Sequence, residues 1–254
     1  AHLRRKQPSP KPPPSGRGLP HFTSLVPNER GMQGVLDVNA RAGFKLIDKI
    51  AVFTAASETF SRKNTNASSA ESIGRFRPVV EIAHRAGMEI RAYISCVIAC
   101  PFEGPIRPER VNEVARQLLE LGIDDLDLGD TIGAGTPRQT HEVVKRALDA
   151  LPVEAVAMHM HDTRGTALAN VVVGLELGVR NFDASVGGLG GCPYAPGAAG
   201  NVATEDLVYM LEGMGVETGI DLERLVEAAR AAESIVGRPL PGKVHRAGIR
   251  SLRA

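Results

Sequence analysis

The chain has 254 residues, of which 43% are hydrophobic and 23% are charged, and this length suits one large α/β domain better than two average ones. The first 21 residues contain five basic residues and no acidic residue, so the rest of the chain is mildly acidic, which argues against a nucleic-acid-binding surface. No apolar run approaches the length of a membrane span, and the three irregularly spaced cysteines indicate reduced thiols rather than a disulfide framework.

Residues 1–21 contain six prolines and hardly any apolar group, so they cannot bury enough surface to offset the entropy lost on ordering. We expect a disordered, basic and proline-rich tail in this segment. The folded domain is predicted over residues 22–238, and residues 239–254 are predicted to form a C-terminal tail.

From Phe22 onward, strand patterns alternate with helical patterns. The strand patterns cover residues 22–26, 45–53, 88–95, 124–128, 153–161 and 181–186. The helical patterns reach to about residue 42 and then cover residues 69–86, 108 to about 121, 143–151, 166–177, 203–212 and 222–235. A polar loop with Lys63 and Asn64 is predicted after the second strand. Six alternating units with short connections predict a parallel sheet with helices outside it.

A closed (β/α)8 barrel needs eight such units, so an open doubly wound sheet is an alternative fold. The polar residues at the strand ends favour the barrel, because a barrel builds its active site at the carboxyl ends of its strands. These residues are Asn28, Ser57, Ser95, Asp130, His159 and His161.

The stretch Met158–Asp162 ends one of the strand patterns and contains two histidines. Side chains alternate along a strand, so His159 and His161 point to the same face and can reach one cation. The alternative is a pair of hydrogen-bonded histidines at the end of a strand.

Residues 187–200 are rich in glycine, which permits a tight fold over a ligand or movement as a lid. The segment lacks the GxxxxGK[ST] pattern of a phosphate-binding loop. Cys192 within it is a candidate acid, base or nucleophile, and the alternative is an unreactive loop cysteine.

Four segments together resemble 3-hydroxy-3-methylglutaryl-CoA lyase of the barrel metallolyase group. They are SCVIACPFEG, LGDTIGAGTP, MHMHDTRGTALAN and VGGLGGCPYAPGAAGNVATEDLVYML, and the resemblance runs from about residue 22 to 238. It implies a TIM barrel and a metal-dependent retro-Claisen cleavage of 3-hydroxy-3-methylglutaryl-CoA to acetyl-CoA and acetoacetate, as in leucine degradation and ketone-body formation. The cysteine loop is specific to the lyase, whereas the His-X-His pattern is shared with related Claisen-type synthases and aldolases, which form the alternative.

The resemblance also implies a set of site residues. The ligands of a divalent cation, Mg2+ or Mn2+, would be His159, His161 and Asn201. Catalytic roles would fall on Cys192, His159 and Glu205. The acyl-CoA substrate would contact Asp130, Ser57, Lys63 and Asn64. For three of these residues a simpler local role is the alternative: Glu205 in the first turn of a helix, Asp130 as a helix cap and Lys63 on the solvated surface.

The sequence departs from the family pattern at its beginning. The family's first strand carries an arginine-aspartate pair in an RDGLQ-like motif and its second strand carries a glutamate, and neither is present here. We therefore expect a TIM barrel that lacks its first two strand-helix units. The alternative function is that of a truncated, non-catalytic remnant that only binds metal or acyl-CoA. The resemblance further implies a homodimer. Bacterial members of the family are cytoplasmic and eukaryotic members mitochondrial, and the compact chain without a convincing presequence leads us to expect a cytoplasmic location, or the mitochondrial matrix in a eukaryote.

Overall fold

The computed structural model describes residues 21–191 and 200–249. Six of its strands form one parallel sheet, and two very short strands form an antiparallel hairpin between the third strand of the sheet and the next helix. The strands are β1 (Phe22–Leu25), β2 (Ile47–Ala55), β3 (Glu89–Ser95), β4 (Ala99–Cys100), β5 (Gly104–Pro105), β6 (Asp125–Asp130), β7 (Val156–Met160) and β8 (Asn181–Asp183). The six predicted strand units are all present.

Nine α-helices are found in the described part of the chain. They are α1 (Glu29–Ala42), α2 (Glu58–Thr65), α3 (Ser69–Arg85), α4 (Pro108–Leu121), α5 (Pro137–Leu148), α6 (Ala167–Glu176), α7 (Thr204–Gly213), α8 (Leu222–Val236) and α9 (Val244–Ala247). The predicted polar loop after the second strand was wrong, because residues 58–65 form α2. Ser57 caps this helix: its Oγ accepts a hydrogen bond of 3.0 Å from the backbone N–H of Phe60.

The order of the strands decides between the two predicted folds. The sheet runs β1-β2-β3-β6-β7-β8, so neighbours in the sheet follow one another in the chain, apart from the β4-β5 hairpin. A doubly wound sheet reverses its strand order at a switch point, and this sheet has no such reversal. The curled six-stranded sheet with alternating helices is therefore a partial TIM barrel, as predicted, and within the described residues β1 and β8 are its two edges.

The residues of each strand alternate between two different environments. On the outward face, Ile50, Ile90 and Leu126 are fully buried under the helices. On the inward face of the same strands lie charged residues, such as Arg91 and Asp127. The apolar layer between sheet and helices thus supplies the core, and the barrel interior is left for polar groups.

The segment predicted as a C-terminal tail packs on the domain in its first part. Leu240 and His245 are each only 1% exposed, and the backbone N–H of Gly242 donates to the carbonyl of Gly187 at 3.1 Å. Residues 1–20 and 250–254 lie outside the described residues. Across the described part of the chain, the structure contains no helix with the length and apolar character needed to cross a membrane.

Candidate active site

A cavity of about 520 Å3 opens on the inward side of the sheet, at the carboxyl ends of its strands. This is the end of a barrel at which active sites are built. Its polar lining includes Asn64, Tyr93, Ser95, Thr131, His159 and His161, and Gly191 contributes from the glycine-rich segment.

The two histidines of β7 and its end lie side by side at this cavity. The ring centroids of His159 and His161 are 5.3 Å apart, and the backbone of Asn201 forms a β-bridge with that of His161. The side-chain amide of Asn201 donates to the carbonyl of Leu189 at 2.8 Å. The structure therefore brings together the three residues that were predicted as metal ligands.

Lone pairs in this group are left without a partner. Within the described residues, Nδ1 of His161 and Oδ1 of Asn201 are buried and have no hydrogen-bond partner. Burial, and then the neighbouring His159, lower the pKa of His161 to about 4, so its ring is neutral at ordinary pH. A neutral imidazole and an amide oxygen are both available as ligands to a cation.

The carboxylate of Asp183 orients the side chain of His159. Its Nδ1 lies 3.3 Å from Oδ2 of Asp183, and the hydroxyl of Tyr93 donates to the same oxygen at 2.9 Å. Burial alone would lower the pKa of His159, but the hydrogen bond to Asp183 and the charge of Asp127 outweigh burial and raise it. A carboxylate that binds one ring nitrogen fixes the orientation of the ring and leaves the other nitrogen for a ligand.

Arg91 and Asp127 extend this network into the barrel interior. Nη1 of Arg91 lies 3.1 Å from Oδ1 of Asp183 and 3.8 Å from Oδ2 of Asp127. Asp127 is fully buried, and burial together with the charge of Asp183 raises its pKa well above the usual range. Asp127, His159 and Asp183 each place a ligand atom within 4.8 Å of the others, so they form a second candidate cation group. Arg91 pairs with Asp183, but both carboxylate oxygens of Asp127 are buried without a hydrogen-bond partner within the described residues, so the choice of the histidine and asparagine group as the cation site rests on the family resemblance.

Sequence reasoning missed this network, although a signal for it exists. Arg91 and Tyr93, and likewise Asp125 and Asp127, are polar residues two apart in otherwise apolar strands. Charges at alternate positions of a buried strand indicate a polar barrel interior. The partners themselves, such as Arg91 and Asp183, are 92 residues apart and carry no local signal.

Two predicted substrate contacts, Asp130 and Ser57, serve local structure and are not among the residues that line the cavity. The carboxylate of Asp130 accepts hydrogen bonds from the backbone N–H groups of Ala134 at 3.1 Å and Gly135 at 2.8 Å, which fixes the loop after β6. Ser57 caps α2 and donates to the Sγ of Cys100 at 3.0 Å.

The other predicted residues are placed as follows. Asn64 lines the cavity, and Nζ of Lys63 lies 4.8 Å from the ring centroid of Phe102, within the range of a cation–π contact. Glu205 is fully buried at the base of the glycine-rich segment and is not among the lining residues. Cys192 lies outside the described residues.

The fold and the site define a class of protein: a partial TIM barrel with a histidine pair and an asparagine at the carboxyl ends of its strands. Residues 25–232 match the family model HMGL-like, and the chain belongs to this family. It is 52% identical over 214 residues to the hydroxymethylglutaryl-CoA lyase of Pseudomonas mevalonii, with 84% of this chain and 68% of that protein covered.

Solved structures give the same assignment. The HMG-CoA lyase of Bacillus subtilis matches with a TM-score of 0.82 and 46% identity, over 87% of this chain and 72% of that chain. An HMG-CoA lyase from Acinetobacter baumannii, in complex with coenzyme A and 3-methylmalate, matches with a TM-score of 0.83 and 35% identity, over 92% of this chain and 73% of that chain. The chain thus spans about two thirds to three quarters of the length of these relatives.

Proposed function

We propose that the protein is a carbon–carbon lyase that cleaves 3-hydroxy-3-methylglutaryl-CoA to acetyl-CoA and acetoacetate with the help of a divalent cation. The observation that carries this proposal is the grouping of His159, His161 and Asn201 at the cavity, with a free lone pair on two of them. The names of the relatives support the lyase over the alternative of a non-catalytic remnant.

The donor set fits a divalent cation. Nδ1 of His161 and Oδ1 of Asn201 are buried lone pairs that would be costly to leave unpaired. His159, His161 and Asn201 would hold the cation, Mg2+ or Mn2+, with oxygen ligands from substrate and water completing the coordination. When bound, the cation supplies positive charge that lowers the pKa of the substrate's tertiary hydroxyl.

The protein's own residues orient this site. Asp183 binds Nδ1 of His159, and Tyr93 and Arg91 in turn hold Asp183. Three side chains therefore fix one imidazole, which is the arrangement that keeps a ligand in a single orientation. Burial and the charge of Asp183 raise the pKa of Tyr93, so its hydroxyl stays a donor to that carboxylate.

The remaining predicted roles belong to the proposal as well. Cys192 would take part in proton transfer, and Glu205 would act through the glycine-rich segment that it contacts. Asn64 on the cavity wall supports the predicted substrate face, which also includes Lys63, Asp130 and Ser57.

An acyl-CoA partner is supported by the coenzyme A complex of the Acinetobacter baumannii relative. A homodimer is supported by exposed apolar residues at α8 and the segment before it, among them Ile220 and Ile235, and light scattering of the purified protein would test it. The cytoplasmic location stays a prediction, because the relatives include both cytoplasmic and mitochondrial lyases.

The test is acetoacetate release from 3-hydroxy-3-methylglutaryl-CoA by the purified full chain. We expect turnover with Mn2+ or Mg2+ and none with a chelator. Cys192→Ser should lower turnover while leaving Mn2+ affinity nearly unchanged, because the cysteine is not in the proposed ligand set. Turnover that survives chelation would overturn the metal-dependent mechanism, and no turnover at saturating Mn2+ would favour the non-catalytic alternative.

A further inference from the structure

A buried imidazole lies between two carboxylates behind the glycine-rich segment. The side chain of His245 is 0% exposed, its Nδ1 is 2.9 Å from Oε1 of Glu205, and its Nε2 is 3.1 Å from Oε2 of Glu233. Ionised carboxylates only accept hydrogen bonds, so both contacts are made when the ring carries a proton on each nitrogen. Such charge-assisted bonds are stronger than neutral ones.

These carboxylates also hold backbone. Oε2 of Glu205 accepts from the N–H of Gly187 at 3.0 Å, and Oε2 of Glu233 accepts from the N–H of Leu240 at 2.8 Å. The N–H of Gly242 donates to the carbonyl of Gly187 at 3.1 Å. Gly187 has a φ of 65°, and the side chain of Leu240 fills the space where a Cβ of residue 187 would lie. Gly242 therefore binds the carbonyl of Gly187 directly, and His245 acts on the N–H of Gly187 through Glu205.

Gly187 lies two residues before Leu189, which binds a residue of the candidate active site. The carbonyl of Leu189 accepts the hydrogen bond of 2.8 Å from the side-chain amide of Asn201. This bond aims the free Oδ1 of Asn201, which is the predicted metal ligand. A displacement of residues 187–189 would therefore turn the side-chain amide of Asn201, whereas the backbone of Asn201 stays bridged to His161 and β7, which carries His159, stays paired with β6 and β8.

We propose that His245 is a positioning residue for the cation site. Clamped between Glu205 and Glu233, it sets the backbone of Gly187–Leu189 and, through it, the amide oxygen of Asn201. Removal of the imidazole leaves the two carboxylates facing each other without the ring that donates to both of them. Their mutual repulsion then loosens the backbone groups that they bind. This inference rests on the proposed metal site.

The test compares His245→Ala with Val111→Ala, which removes packing from the main core at α4, a helix that packs on α3, α5 and β3. Mn2+ affinity is measured by electron paramagnetic resonance, and hydrogen exchange of residues 186–191 is measured in the metal-free protein. For His245→Ala we expect Mn2+ binding weaker by about 10-fold, the lower end of the loss caused by removing a group that orients a metal ligand directly, and faster exchange at Gly187. Val111→Ala should change neither.

Chemical rescue separates charge from volume. Added imidazole should restore Mn2+ affinity to His245→Ala, whereas pyrazole, a ring of the same size that stays neutral and has one N–H, should not. The wild-type protein with the same additives corrects for weak binding of Mn2+ by imidazole. Equal rescue by both rings, or unchanged Mn2+ affinity in His245→Ala, would overturn the proposal.

Two further variants keep the result decisive. If His245→Ala does not fold, Glu233→Gln retains an acceptor for Leu240 but removes one charge, and it should weaken Mn2+ binding in the same direction by a smaller factor. His161→Ala is measured in parallel. Unchanged binding in His161→Ala would refute the metal site itself, whereas lost binding there with normal binding in both clamp variants would refute only the role of His245.

Discussion

On the outward face of the sheet, Ile50, Ile90 and Leu126 are fully buried against the helices, whereas the inward face of the same strands carries Arg91 and Asp127. The outward face is sealed from water and stabilised by apolar contact, whereas the inward face borders the cavity and is stabilised by ion pairs and hydrogen bonds. Apolar burial is favourable without direction, while a buried charge is tolerated only with its partner in place. The outward face therefore provides stability, and the inward face provides a site.

We therefore expect substitutions on the inward face to affect mainly Mn2+ binding and substitutions on the outward face to affect mainly stability. The largest effect is expected for His161→Ala on the inward face. It removes an imidazole whose free Nδ1 lies in the proposed donor set, so stoichiometric Mn2+ binding should be lost, while the fold, followed by circular dichroism, should be retained. Titration with Mn2+ under electron paramagnetic resonance is the measurement. Binding that is unchanged would remove the metal interpretation of this face.

The opposite pattern is expected for Ile50→Ala on the outward face. Ile50 is 0% exposed in the main core, so the truncation should lower the free energy of unfolding by about 2–5 kcal/mol, as large-to-small core changes do. Urea unfolding gives this value. The folded variant should bind Mn2+ as the wild type does. A loss of affinity comparable to that of His161→Ala would contradict the separation of a stabilising face from a metal-binding face.

The inward face should also make stability depend on pH. The folded pKa of His161 is about 4 and the unfolded pKa is about 6.5, so below pH 6.5 the unfolded state binds more protons. The metal-free protein should therefore lose stability, on the order of 3 kcal/mol from this group, as pH falls from about 6.5 to 4. Urea unfolding of wild type and His161→Gln across this range measures it. The two pH profiles should diverge there, and parallel profiles would contradict the assignment.

A smaller effect is expected for Asp183→Asn, which weakens the hold on His159 without removing a ligand. Mn2+ affinity should fall by about 10- to 100-fold, as for other groups that orient a metal-binding histidine. Tyr93→Phe is the matched control, because it removes one hydrogen bond to Asp183 and leaves the contacts with His159 and Arg91 in place. Its effect should be smaller. A larger effect for Tyr93→Phe would mean that Asp183 does not orient the ring.

Local rules predicted much of this molecule. The alternation of apolar residues gave the six strands, and the period of two placed His159 and His161 on one face. They failed for α2, because its polar sequence ETFSRKNT buries only Phe60 and Ser61 and resembles a loop. They failed again for His245, because the short segment around it has no periodic pattern and resembles a tail.

The sequence predicted the six strands, most of the helices and, through its resemblance to a family, the barrel and the histidines and asparagine of the proposed metal site. The pairing of charges is visible only in the folded protein: Asp183 with Arg91 across 92 residues, Asp183 with His159 across 24, and Glu205 with His245 across 40. Hydrophobic periodicity and helix capping involve residues only a few positions apart, so they can be predicted from the sequence. The pairing of buried charges depends on how the sheet curls and where the C-terminal segment docks, and that geometry exists only in the folded protein.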